Sequence, residues 1–151
     1  MPVEPAGAVL EGYAVAVKAG RIEALLPPGA PRPGYPVVDL PEHLLIPGLV
    51  NAHTHAAMAL MRGLSDDLPL MRWLQEHIWP AEQELVSAGM VRDGTLLACA
   101  EMLRGGVTCF NEMYFFPEAA LDAALAAGMR AALGIIGSAL AVGRFMRTEE
   151  A

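Results

Sequence analysis

The chain has 151 residues and a mass of 16.0 kDa, with 54% hydrophobic and 18% charged residues. That length suits one ordinary domain or part of a larger one, and the composition is too apolar for a disordered chain. A net charge of −7 and a pI near 5.0 exclude a phosphate-seeking nucleic-acid binder and argue against docking on anionic lipid.

Two cysteines, Cys99 and Cys109, are too few for a disulfide scaffold, so free thiols in a reducing cytoplasm are expected. The N-terminus carries no basic segment followed by a long apolar core, so no signal peptide is expected. The longest charge-free apolar stretch toward the C-terminus, Ala131 to Gly143, holds 13 residues. A bilayer crossing needs ~20. A soluble, cytoplasmic protein with no membrane partner is the expectation.

Residues 1–46 read as a small β-rich region. Tyr13 to Lys18 and Arg21 to Leu26 alternate as strands around an Ala19-Gly20 turn, which predicts a hairpin. Pro27 to Pro36 holds five prolines and two glycines, so it is an exposed connection. Pro36 to Leu40 and Leu44 to Ile46 read as two further short strands, closed by Pro47-Gly48.

From residue 47 the pattern changes to strands alternating with helices. Leu49 to His53 is a short apolar strand, followed by the small, Met-rich run Ala56 to Leu64. Leu68 to Ile78 predicts a helix with Leu70, Met71, Leu74 and Ile78 on its inner face, interrupted at Trp79-Pro80. Ser87 is a good N-cap for a helix running to Arg104, which Gly105-Gly106 ends. Val107 to Asn111 is a strand, Pro117 to Ala127 an Ala-rich helix, and Arg130 to Ile136 a third strand. The order β-α-β-α-β predicts an α/β fold with parallel strands.

The triplet His53-Thr54-His55 carries the most chemistry. Residues i and i+2 of a strand share a face, so two imidazoles can converge on one cation. The triplet lies at the C-terminal end of its strand, where α/β barrels keep their chemistry. On spacing alone it also suits one solvated and one hydrogen-bonded histidine.

The run Ile46-Pro47-Gly48-Leu49-Val50-Asn51-Ala52-His53-Thr54-His55 resembles the signature of the amidohydrolase superfamily. Met61 to Leu70, Trp73 to Glu82 and Gly106 to Tyr114 resemble that superfamily's deaminases of 5′-methylthioadenosine and S-adenosylhomocysteine, together with their chlorohydrolase relatives. The likeness spans about residues 8 to 135. It implies the N-terminal part of a metal-dependent TIM-type (β/α)8 barrel over 47–151, preceded by strands of a small β-sandwich side domain over 1–46.

The resemblance further implies that His53 and His55 are the first two ligands of a single divalent metal, zinc or iron. Glu82 matches a carboxylate that accepts hydrogen bonds from the ribose hydroxyls, a task suited to its two oxygens. The other reading of Glu82 is a helix-start acid favoured by the helix dipole. Trp79 is a candidate to pack on the adenine or thioether side, or else a core aromatic. Asn111 and Glu112 end a strand, where either could face the site. His77 reads as a surface or packing histidine, His43 as a turn residue, and Met58, Met61 and Met71 as core fillers. Asp66 and Asp67 read as loop acids. The compact Cys-x-x-Cys pattern of the smaller zinc deaminases is absent.

The implied reaction is hydrolytic deamination of an adenosine-type nucleoside, giving the inosine analogue and ammonia. The remaining metal ligands and the proton-shuttling groups are expected beyond the third strand. No catalytic residue is therefore expected within this chain, and the isolated chain is expected to be inactive. Its uncovered strand edge predicts a homo-oligomer or a complementing chain. Two other readings stay open: a chlorohydrolase or guanine/cytosine deaminase of the same superfamily, and a non-catalytic fragment or pseudo-subunit. Residues 135–151 match no motif, and Arg130, Arg144 and Arg147 have no assigned role.

Overall fold

The computed structural model describes residues 7–32 and 34–136. The tail holding Arg144 and Arg147, and the end of the Ala131–Gly143 stretch, lie outside the described residues. The chain divides into two units, Met1–Pro47 and Gly48–Ala151. Among the described residues no helix is long and apolar enough to cross a membrane.

In the first unit, β1 (Ala14–Lys18) and β2 (Arg21–Leu26) form the predicted antiparallel hairpin. Ala19 and Gly20 both take positive φ, at 49° and 74°. That backbone twist matches the twist of the flanking strands in a two-residue hairpin loop. Neither Pro36–Leu40 nor Leu44–Ile46 forms a strand, contrary to expectation. A strand exists only through pairing, and among the described residues β1 and β2 pair only with each other. Val38 is accordingly left 81% exposed.

The second unit is an α/β layer. β3 (Leu49–Thr54), β4 (Val107–Met113) and β5 (Arg130–Gly134) form a parallel sheet in the order β3-β4-β5. After β3 the chain makes a 3-10 turn (Ala56–Met61), then α1 (Leu70–Trp73), a π turn (Leu74–Ile78) and α2 (Trp79–Leu85). α3 (Ala88–Arg104) leads into β4, and α4 (Pro117–Ala126) into β5.

Trp79-Pro80 does not interrupt the helix as predicted. Pro80 has no N–H and its ring crowds the carbonyl one turn back. The π turn just before it widens the ladder, and the Trp79 N–H donates to Leu74 O, five residues back. The extra residue shifts the phase of the apolar stripe. Ile78 is buried, but Leu70 and Met71 are 66% and 53% exposed instead of facing inward.

α3 begins as expected, with Met90 N–H donating to Ser87 Oγ at 3.2 Å. Gly94, in its interior, lies against the 3-10 turn. A Cβ there would stand 2.5 Å from Ala57 O. Only glycine allows this approach, which seats the segment following β3 on α3. The core is built of small side chains around Phe110, with Cys99, Ala98, Ala124 and Met129 in one cluster. Ala57, Val91, Tyr114 and Ala120 form a second. Along β4 the buried residues alternate: Phe110 and Glu112 are buried, as is Tyr114 just past the strand, while Asn111 and Met113 are exposed. One sheet face thus meets the helices and the other is open among the described residues.

Candidate metal centre

β3 stops at Thr54, one residue earlier than simple strand alternation through His55 would require. His55 takes φ −126° and ψ 71° as the chain enters the 3-10 turn. The two rings still converge. His53 Nε2 lies 3.4 Å from His55 Nε2, with ring centroids 5.1 Å apart and planes at 84°.

This separation suits a shared cation. Two nitrogens each ~2.0–2.1 Å from one ion and 3.4 Å apart subtend about 110° at that ion, close to the tetrahedral value. His55 Nδ1 lies 2.6 Å from the carbonyl oxygen of Met113. A carbonyl can only accept, so Nδ1 carries the proton and donates it. Nε2 of His55 is then the lone-pair nitrogen, as a ligand requires, and a backbone carbonyl fixes the tautomer and ring orientation. Among the described residues no group of three or more His, Cys, Asp or Glu side chains gathers to hold an ion. The pair offers two donor nitrogens.

The end of β4 fastens the segment that carries both histidines. Asn111 Nδ2 donates to Ala52 O at 3.1 Å. Thr54 Oγ1 lies 2.9 Å from Asn111 O and 3.0 Å from Glu112 Oε2. Ala56 N–H donates to Glu112 Oε2 at 2.6 Å. Glu112 is 2% exposed, and among the described residues its Oε1 is buried without a hydrogen-bond partner. Burial pushes its carboxyl above the ordinary carboxylate range, partly offset by the Ala56 N–H, the Thr54 hydroxyl, the nearby His55 and the Met113 N–H. Of the two strand-end candidates, Asn111 is exposed, and Glu112 turns into the protein beneath the histidine segment.

Glu82, on α2, accepts a hydrogen bond from the buried Tyr114 hydroxyl at 2.8 Å. The Tyr114 ring centroid is 6.1 Å from that of His55, so Glu82 is tethered close to the histidine pair. Burial, and then the bond to Glu82, push the Tyr114 phenol well above its usual range and keep it a neutral donor. Trp79 opens α2 three residues before Glu82 and is 38% exposed, so it is not a buried core aromatic. A cleft of about 280 Å³ beside the pair is lined by Asn51, His53, His55, Arg62 and Glu101 among others. Arg62 and Glu101 pair through two hydrogen bonds of 3.0 and 2.6 Å.

The remaining sequence candidates lie elsewhere. His77 has a partner that spacing did not show, Ser65 Oγ at 2.9 Å. His43 is exposed, as are Asp66 and Asp67. Met61 is buried as expected and Met58 half-buried, whereas Met71 is a surface residue. Sequence reasoning missed the fastening by Met113 O and the tether from Tyr114. The available signal was the alternation Phe110-Glu112-Tyr114, which marks an acid on a buried strand face.

The family model for the amidohydrolase family matches residues 44–150, more than half of the chain. A 5-methylthioadenosine/S-adenosylhomocysteine deaminase of Saccharophagus degradans is 54% identical over 134 residues, covering 87% of this chain and 30% of the relative. A 5′-deoxyadenosine deaminase of Methanosarcina mazei is 53% identical over 97 residues, covering 64% and 22%. The crystal structure of an adenosine deaminase from Xanthomonas campestris with bound zinc superposes with a TM-score of 0.80 at 51% identity, covering 87% of this chain and 30% of that one. The chain thus spans about 30% of the length of the relative from Saccharophagus degradans. Matched family model, sequence relatives and parallel-sheet architecture agree, and the chain belongs to the amidohydrolase family.

Proposed function

We propose that this chain forms the metal-gripping N-terminal part of a hydrolytic deaminase of adenosine-type nucleosides, such as 5′-methylthioadenosine or S-adenosylhomocysteine. The observation that carries this reading is the 3.4 Å approach of the two Nε2 atoms, with the His55 tautomer set by Met113 O. His53 and His55 are the ligands of one divalent ion, zinc before iron. When bound, that ion supplies activation of water for attack on the purine ring and loss of ammonia. A catalytic zinc site takes three protein ligands, so further strands of a (β/α)8 barrel must complete it. β3, β4 and β5 are the first strands of that barrel, and the β1–β2 hairpin belongs to a small β side domain.

In this reading Glu82 accepts the ribose hydroxyls, with Tyr114 holding one of its oxygens in place. Trp79, exposed one turn earlier on the same helix, packs beside the nucleoside. The names of the relatives support the substrate class, and the structure related at a TM-score of 0.80 holds zinc.

A chimera tests the proposal. Residues 8–135 of this chain replace the matching part of the Saccharophagus degradans relative, and ammonia release is measured with zinc present. Turnover of 5′-methylthioadenosine exceeding that of guanine or a halogenated triazine is expected, with loss of turnover in His53→Ala. A folded chimera that releases no ammonia from the nucleoside contradicts the reading. The 151-residue chain by itself is expected to release none.

A further inference from the structure

We infer that Glu112 is a positioning residue that holds the His55 imidazole in its ligand orientation; the link to a metal rests on the proposed function above, whereas the orientation itself does not. Glu112 is the buried side chain on which the two residues flanking His55 converge. Its Oε2 takes the Ala56 N–H at 2.6 Å and lies 3.0 Å from the Thr54 hydroxyl. One carboxylate oxygen thus lies against both neighbours of His55, holding the Ala56 N–H and sharing the Thr54 hydroxyl with Asn111 O at 2.9 Å. Its own Nδ1–H reaches the carbonyl of the next residue along, Met113, at 2.6 Å. Strand β4 therefore offers three successive attachments, at Asn111, Glu112 and Met113, to the segment 52–56.

A carboxylate is an unusual choice for a site 2% exposed, because burial disfavours its charge. Geometry accounts for it: a side chain of this length, ending in an acceptor, spans from β4 to the backbone just past His55. Glutamine has the same length and keeps one acceptor oxygen for the Ala56 N–H and the Thr54 hydroxyl, so it can occupy the same place. Leucine can fill the volume but accepts nothing.

The test is nitrogen-resolved NMR of the histidine side chains in the 151-residue chain, first without metal and then along a zinc titration. In the parent, His55 is expected as the single Nδ1–H tautomer, and zinc is expected to shift His53 and His55 together. Glu112→Leu is expected to mix the His55 tautomers and weaken zinc binding about tenfold or more, as loss of outer support does at metal sites. Glu112→Gln is expected to retain both properties. Thr54→Val, a milder change, is expected to loosen the tautomer in part.

A folded Glu112→Leu chain with the parent's His55 tautomer and zinc affinity overturns the inference. If that variant does not fold, Thr54→Val decides, and an unchanged His55 signal overturns it. If zinc shifts neither histidine of the parent, the metal reading fails, while the metal-free tautomer comparison still tests the positioning role.

Discussion

His55 presents a lone pair on Nε2 because a carbonyl of a strand far along the chain takes its Nδ1–H. The sequence shows the pair itself, because two imidazoles at i and i+2 on a strand end are visible in the residue types. It does not show Met113 O, since a backbone carbonyl 58 residues away has no residue-type signature. Glu112 has a further consequence at this scale. Its carboxyl is pushed above the ordinary value of 4.5, so the native metal-free chain binds the proton more tightly than the unfolded one. Its contribution to stability is full below that ordinary value and is lost as pH rises through the raised one. Glu112→Gln does not ionise. The urea midpoint of the parent is therefore expected to fall behind that of Glu112→Gln as pH rises from about 4.5, after subtraction of any constant offset. A gap independent of pH would show that Glu112 titrates as in the unfolded chain.

At the scale of elements, β3 and its following 3-10 turn are seated by glycine on α3. Gly94→Ala places a methyl 2.5 Å from Ala57 O and 2.9 Å from Ala57 Cα, where backbone must move. Overpacking of this kind costs ~1–3 kcal/mol, read as a lower urea midpoint. Gly89, in the first turn of the same helix, is the control. A Cβ there meets only Ser87 Oγ at 3.9 Å, and Gly89→Ala is expected to stabilise by about 0.4–1 kcal/mol. Equal effects at the two positions would refute the close-approach account. Most elements were legible from local signals: the Ser87 cap, the Gly105-Gly106 stop and the hairpin turn each carry their own chemistry. In the segment 68–85 the helix itself was legible, but its facing and its continuation through Pro80 were not, because a π turn changes the helical phase without any residue type that announces it. Leu70 and Met71 were misplaced for that reason.

For the second unit as a whole, the open sheet face and the exposed residues of β3 dominate behaviour. Val50 is 65% exposed and Leu49 51%, on a strand paired along one side only among the described residues. Such an edge templates pairing with another chain. Concentration-dependent light scattering is expected from the parent chain, and Val50→Lys is expected to reduce it; scattering unchanged by the lysine would place the contact elsewhere. The parallel order β3-β4-β5 was readable from strand–helix alternation, whereas the strands expected at Pro36–Leu40 and Leu44–Ile46 were not realised, because a short apolar run carries no sign of a pairing partner. The proposed metal centre requires His53 and His55 to share one cation, and equilibrium dialysis against zinc addresses that directly. One readily exchanged ion per parent chain is expected, with binding lost in both His53→Ala and His55→Ala. Equal zinc uptake by the parent and by either variant would contradict it.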